Sequence, residues 1–453
     1  MAGRRPAVRL CYTAGSMQPL SASPQPQLIR AIGRWSMVAL AVNCIVGSGI
    51  FGLPAVLAGL LGRSSALAVL AAGAGMGVII ACYAEVASQF SGTGGTYLYL
   101  RATFGRLIGL QVGWMSLLTR ITAAAAAVNL LVAYVGEFWP GATQPLARLA
   151  IISVFLGVLA LVNYRGVSAG ALMSNVTVVA KLGALAVVCV AGALWLHSHA
   201  AVAGAPGTLG PRGWLKAVLL LLFAYGGYEA ALNPLGEARN PRRDVAFALF
   251  VALGVVTLFY SALQYVVVSV LPDAARSVRP LADAAAVMLG PPGAVLVAIG
   301  ALISVYGYVS ANLLTAPRGM FALAERGDFP AVFGRVHLRF RTPSVSIVVC
   351  AVLLWLFAQL GDFSWNVTLS AVARLFYYGA ICAAVPVLRR RQPQAAAFRV
   401  PAGLLLPVLG VAGCALLLSS VDFGKSLILI ATVALALLNW LAVRERAERE
   451  ITA

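Results

Sequence analysis

From residue 34 onwards the chain is a succession of long apolar runs separated by short connectors rich in arginine. A helix needs about 20 predominantly apolar residues to cross a bilayer. The pattern predicts twelve such spans, at 35–61, 66–88, 107–135, 147–163, 168–196, 213–236, 244–270, 292–325, 343–360, 366–388, 402–420 and 425–443. The runs are continuous and lack the short alternating segments of a barrel. The fold class is therefore an all-α polytopic membrane protein. Residues 280–290 read as a short amphipathic piece ahead of the eighth span, which is long enough for its last turns to leave the membrane.

Two of the spans are interrupted. The first carries Gly47-Ser48-Gly49 in its middle and Pro54 beyond; the sixth reads Phe223-Ala224-Tyr225-Gly226-Gly227-Tyr228-Glu229, with Pro234 a turn later. Glycine weakens a helix, and open backbone at membrane depth is tolerated only where it lines a cavity, meets a ligand or is buried in protein. A run of small residues is also what a close helix–helix contact requires, so the first break alone leaves both readings open. The second break decides between them. Spans one and six each open a unit of five spans, and because five is odd the second unit starts from the opposite side of the membrane. Interrupted helices at matching positions of inverted halves point to a transporter's binding site at the midplane. The expected organisation is a tail at 1–33, a first repeat at 34–196, a second at 213–390, two further helices within 400–443 and a tail at 444–453.

Composition agrees with this class: 61% of the 453 residues are hydrophobic, 10% are charged, and the mean hydropathy is +0.91. The net charge of +19 would suggest nucleic acid in a soluble protein, but here the basic residues lie between spans. With the N-terminus inside, twenty-three Lys and Arg fall on the cytoplasmic side against seven opposite, a positive-inside bias that puts both termini in the cytoplasm. The first 33 residues are polar and lack the apolar core of a signal peptide; Met1 and Met17 are both possible starts. Six of the seven cysteines lie in apolar runs, with no spacing suited to a metal or a disulfide framework, and read as small packing residues.

Several motifs resemble the amino acid–polyamine–organocation transporter superfamily. Gly47-Ser48-Gly49-Ile50-Phe51 is similar to its first-helix signature. Tyr83-Ala84-Glu85-Val86-Ala87-Ser88-Gln89-Phe90, continuing into Gly92-Thr93-Gly94-Gly95-Thr96-Tyr97, resembles its second-span exit and first cytoplasmic loop. Glu237-Ala238-Arg239-Asn240-Pro241 is similar to the loop after the sixth span, and Asn312, Arg318 and Ala324-Glu325-Arg326-Gly327-Asp328-Phe329-Pro330 to the end of the eighth. The resemblance covers roughly residues 34–390 in order. It implies a five-plus-five inverted-repeat fold with two extra C-terminal helices, and transport of amino acids or related amines.

The two breaks suit such a substrate. The second half of span one offers free N–H groups and a positive dipole end to an α-carboxylate, which selects Gly47, Ser48, Gly49 and Ile50. The first half of span six ends in free carbonyls that attract an α-ammonium, which selects Phe223, Ala224 and Gly226. The resemblance makes Phe223 an aromatic gate and puts Asn312 at a gate position usually filled by something bulkier. Ionisable residues inside spans are functional candidates by default. Glu229 matches an acidic proton-sensing site in the antiporter branch, or it holds the break through backbone hydrogen bonds. Lys181 stands where sodium-coupled relatives bind an ion, which offers proton coupling without sodium; its alternative role is a fixed brace. Arg120 and Arg374 have no counterpart in the resemblance, and an arginine does not carry protons. For Arg374 the expectations are a helix end or a snorkelling position. Glu85 is expected to bind loop backbone or a basic residue, and His197, His199 and His337 to lie at the surface.

The expected activity is secondary transport of amino acids across the cell membrane, of neutral L-amino acids in symport with protons. The alternatives are an amino acid/polyamine exchanger and a sensor of the same fold that binds without transporting. An enzyme is not expected: no His, Asp or Cys cluster stands at a membrane face, and Gly92-Thr93-Gly94-Gly95 lacks the lysine of a phosphate loop. No cofactor, metal or nucleic acid is implied, only substrate, protons and membrane lipid. A heavy-chain subunit is not expected either, because the loop 136–147 has no cysteine to link one.

Overall fold

The computed structural model describes residues 33–90, 95–166, 171–202, 210–232, 235, 238–392, 396–421 and 423–452. The expected N-terminal tail up to residue 32, Gly92-Thr93-Gly94, Pro234 and Glu237 lie outside the described residues. Where residues are described, every expected span contains helix. Span one is split into α1 (Arg34–Ile45) and α2 (Gly49–Leu61), and span six into α8 (Pro211–Tyr225) and the single turn α9 (Tyr228–Ala231). The other spans are α3 (Ser65–Ala87), α5 (Arg106–Val135), α6 (Pro145–Tyr164), α7 (Ala171–Ser198), α10 (Pro241–Val270), α12 (Pro291–Glu325), α13 (Ser344–Leu360), α14 (Phe363–Arg391), α15 (Leu405–Ser419) and α16 (Phe423–Thr452). Two short helices, α4 (Gly95–Phe104) and α11 (Pro280–Leu289), occupy the loop after α3 and the amphipathic piece before α12. Among the described residues, eight helical stretches are long and apolar enough to cross a membrane. The segment expected as a C-terminal tail continues α16 as helix to Thr452.

Burial sorts the helices by position. In α5, 89% of the apolar stretch is buried, against 17% in α6 and 11% in α16. The run Ala123–Ala127 explains why α5 is central: its small side chains, all 0–1% exposed, let α12, α13 and α14 approach closely. Leu67, Val154, Val179, Leu194 and Leu258 are exposed apolar side chains on the outside of the bundle, as a lipid-facing surface requires. The buried cysteines pack as small residues, with Cys350 Sγ 3.3 Å from Met320 Sδ.

The arginine-rich end of the bundle is tied by two buried carboxylates. Asp328, which has no exposed surface, pairs with Arg101 (2.5 Å) and Arg106 (2.7 Å) and accepts from the Tyr97 hydroxyl. Its backbone carbonyl accepts from Asn439 of α16 at 2.8 Å. One residue thus joins α4, α5, the end of α12 and α16. Burial first, and then the Asp328 hydrogen bond, raise the Tyr97 phenol above its ordinary value, so it remains a donor. Glu85, also fully buried, takes a bidentate pair from Arg389 (2.6 and 2.7 Å) and the Val400 N–H (2.6 Å), the basic and loop-backbone partners expected for it. At the opposite end Arg148 bonds Asn129 and the Ala358 carbonyl, and Arg279 pairs with Glu137 at 2.8 Å.

Asp328→Asn removes the charge from the first of these knots. Arg101 and Arg106 are each about one-third exposed and can rehydrate, so the cost falls below that of a fully buried pair, about 1–3 kcal/mol. Thermal unfolding in detergent micelles should show a lowered midpoint; an unchanged midpoint would mean that the knot adds no stability.

Candidate substrate site

The α1 helix ends in mid-bundle with its last carbonyls unpaired by helix geometry, and each of these that is buried needs a donor. Val46 N–H returns to the Val42 carbonyl at 2.9 Å. The Lys181 ammonium, reaching over from α7, donates to the carbonyls of Asn43 and Val46 at 2.7 Å each. Tyr260 of α10 donates to the Ile45 carbonyl at 3.3 Å. A cation at a helix C-terminus is also matched to the negative end of the dipole. Lys181 is 8% exposed, so these bonds form with little water around them. Lys181, for which coupling or a fixed brace was expected, bonds here to the end of α1.

The second break is held differently. Gly227 has φ +108°, a left-handed conformation that L side chains rarely adopt, and a Cβ there would stand 2.3 Å from the Cys44 carbonyl oxygen of α1. The two interruptions therefore touch through backbone. Gly227 N–H donates to Glu229 Oε2 at 2.9 Å, while the same carboxylate accepts from the hydroxyls of Tyr377 (3.1 Å) and Tyr378 (3.3 Å) of α14. Arg374, also on α14 and 6% exposed, completes the group. Its Nε lies 3.3 Å from Glu229 Oε1, and its Nη1 donates to the Phe223 carbonyl at 3.3 Å. The guanidinium stands 5.8 Å from the centre of the Phe223 ring. It also fills the notch at Gly226, where a Cβ would come within 1.2 Å of Nη1. Of the two positions expected for Arg374, it takes the helix end.

Beneath this junction lies a cavity of about 780 Å³, within the range of small-molecule sites. Its walls come from α1 (Asn43, Cys44), α5 (Ser116, Arg120), α9 (Glu229) and α12 (Tyr308, Asn312), with Lys181 and Arg374 closing the deep end. Thr96, Tyr97, Arg326 and Phe329 line it towards the arginine-rich end of the bundle. Asn312 and both expected coupling residues, Glu229 and Lys181, therefore meet in one cavity. Gly47, Ser48, Gly49, Ile50, Phe223, Ala224 and Gly226 are not on its wall. The reason is packing: a Cβ on Gly49 would lie 3.1 Å from the Ala224 Cα and 3.3 Å from the Phe223 ring, so α2 and α8 are in contact. The Asn312 carboxamide does not project freely into the cavity but donates to the Arg120 carbonyl at 3.2 Å.

Arg374 is the site residue that the sequence reading left without a role. Its charge in an apolar run was the signal, but its partners lie about 150 positions away in sequence. The described residues contain no group of three His, Cys, Asp or Glu side chains placed to hold a metal ion.

Comparison with known proteins relates the chain to transporters. The chain is 27% identical to the methylthioribose transporter of Bacillus subtilis over 422 residues, covering 88% of this chain and 90% of the relative. It is 26% identical to the serine/threonine exchanger SteT of the same organism, covering 87% and 91%. It is 25% identical to the branched-chain amino acid permease BcaP, also from Bacillus subtilis, covering 89% and 91%. The relatives are transporters and not enzymes, and the family described as amino acid permease matches residues 32–438, nearly the whole chain. This chain belongs to the amino acid permease family.

Proposed function

We propose that the protein is a secondary active transporter of L-amino acids that works by alternating access around the junction of its two broken helices. The observation that carries this reading is the meeting of two mid-bundle helix breaks, Cys44 against Gly227, above a cavity of about 780 Å³. By the positive-inside rule the arginine-rich end is cytoplasmic, so the cavity faces inward and both termini lie in the cytoplasm of a cell-membrane protein. The contact of α2 with α8 then closes the outer pathway. Opening it separates Gly49 from Ala224 and brings Gly47, Ser48, Gly49, Ile50, Phe223, Ala224 and Gly226 to the substrate. The two groups of five spans are read as inverted repeats, with α15 and α16 outside them.

Lys181 is the coupling residue in this scheme, and Glu229 braces the second break against α14. The Lys181 ammonium holds the α1 end through two charge-assisted bonds. Loss of its proton removes the charge that the α1 dipole attracts and loosens α1 from α7, so protonation and helix position are linked. Cationic amino acids and polyamines are disfavoured, because Arg120, Lys181, Arg326 and Arg374 line the cavity against the single carboxylate of Glu229. That charge balance argues against the polyamine exchanger.

Two experiments test the scheme. In proteoliposomes, a pH gradient with the acid side outside should drive accumulation and a sodium gradient should not. Lys181→Ala should lower accumulation by roughly tenfold, the effect of about 1.4 kcal/mol lost from a charge-assisted bond, while substrate binding persists in part. Uptake that follows sodium and ignores pH would overturn the coupling role, and indifference to both gradients would indicate one-for-one exchange. The second experiment concerns the notch. Gly226→Ala must expel the Arg374 guanidinium and break its pairing with Glu229, at a cost of about 3 kcal/mol. Thermal unfolding should show that loss, and it should shrink in an Arg374→Met background, where the space is free. Equal losses in both backgrounds would separate Gly226 from Arg374.

A further inference from the structure

Arg120 sits near the middle of α5, fourteen residues from its first, at a depth of roughly 20 Å along the helix. Charge at that depth calls for a partner. The partner described for its guanidinium is neutral: Nη1 donates to Thr315 Oγ1 of α12 at 3.2 Å. Among the described residues no carboxylate pairs with it. Glu229, the acidic side chain of the cavity wall, is engaged by Arg374, Tyr377, Tyr378 and the Gly227 N–H. Lys181 is likewise occupied with carbonyls. Arg120 is thus a half-buried arginine of the cavity wall that no carboxylate among the described residues matches. Its surroundings suit a polar ligand. Ser116 lies one turn earlier on the same face of α5, and Thr315 stands opposite on α12. The Asn312 bond to the Arg120 carbonyl fixes this stretch of α5 against α12, so the guanidinium is presented from a braced backbone.

We propose that Arg120 determines specificity by binding an anionic group of the transported molecule, and that the substrates are amino acids with an acidic side chain. This rests on the amino-acid transport reading above. A dicarboxylic amino acid carries two carboxylates and one ammonium. In the scheme above the backbone of the two breaks takes the α-carboxylate and the α-ammonium, which leaves Arg120 on the cavity wall for the second carboxylate. A neutral amino acid leaves Arg120 unmatched, and a cationic one adds a repelling charge. The bidentate fork of a guanidinium fits a carboxylate better than an ammonium does, so arginine at this position favours that group over a lone hydroxyl.

The test is uptake and competition in proteoliposomes of the full chain, with L-glutamate, L-aspartate, L-serine, L-leucine, L-arginine and putrescine as probes. For the wild-type protein the acidic pair should be carried and should outcompete the neutral amino acids, with L-arginine and putrescine failing to compete. Arg120→Gln should weaken the apparent affinity for the acidic pair by about 10- to 100-fold, the range for a hydrogen bond to a charged group, and leave L-serine within about threefold. Arg120→Lys should recover part of the loss. Wild-type protein that carries neutral or cationic amino acids while the acidic pair neither enters nor competes would overturn the assignment to Arg120 and leave the permease reading standing, whatever the variants do. An equal loss for all classes in Arg120→Gln would likewise reduce Arg120 to a structural residue. Failure to move any amino acid would overturn the transport reading itself.

Discussion

The structure depends on how unpaired backbone is satisfied in the middle of a membrane. Breaking a helix there exposes carbonyls and N–H groups that have no water to turn to, and each costs free energy unless it finds a partner. Both breaks use a long cationic side chain from another helix. Lys181 of α7 takes two carbonyls at the end of α1, and Arg374 of α14 takes the Phe223 carbonyl at the end of α8. Each cation spans a gap between helices and sits at the negative end of a dipole. The breaks are thereby kept open as backbone, with their ends fixed to two different neighbours, α7 and α14.

The two fixings differ in a way that bears on motion. Lys181 bonds only backbone in this arrangement, so α1 is held to α7 by one removable charge. Arg374 belongs to a group that includes Glu229, two tyrosine hydroxyls and a backbone N–H, all on or against α14. Such a network is costly to open piecemeal, since each partner removed leaves another buried and unpaired. The α9 turn is thus tied to α14 through several side chains, whereas the hydrogen bonds described between α7 and the end of α1 all come from Lys181.

Much of the fold was legible because apolar run length and arginine placement are local signals. The polytopic helical class, both interruptions and the short α11 follow from them. The binding of Glu85 to a basic side chain and loop backbone was legible for the same reason, because a carboxylate at a span end has few other partners. What could not be read was which polar groups in the breaks turn towards each other. Arg374 and Glu229 are far apart in the chain, and only packing shows that the guanidinium occupies the notch expected for a ligand's ammonium. The same limit applies to Gly49, which the free N–H groups of span one put on the carboxylate side: here it packs against the backbone of Ala224. Small residues serve both purposes, and the conformation decides which is in use.

The length of α12 has a consequence for how the protein responds to its surroundings. Its 35 residues extend for roughly 50 Å, well beyond a hydrocarbon core of about 30 Å, and Asp328 follows three residues past its end. There the partly exposed guanidiniums of Arg101 and Arg106 meet mobile counterions, which at physiological ionic strength screen charge over about 8 Å. The Glu229–Arg374 pair is more enclosed, at 16% and 7% side-chain exposure. Salt thus weakens the knot at the arginine-rich end more than the pair at the helix junction, so ionic strength and ligand act on opposite ends of the same pathway.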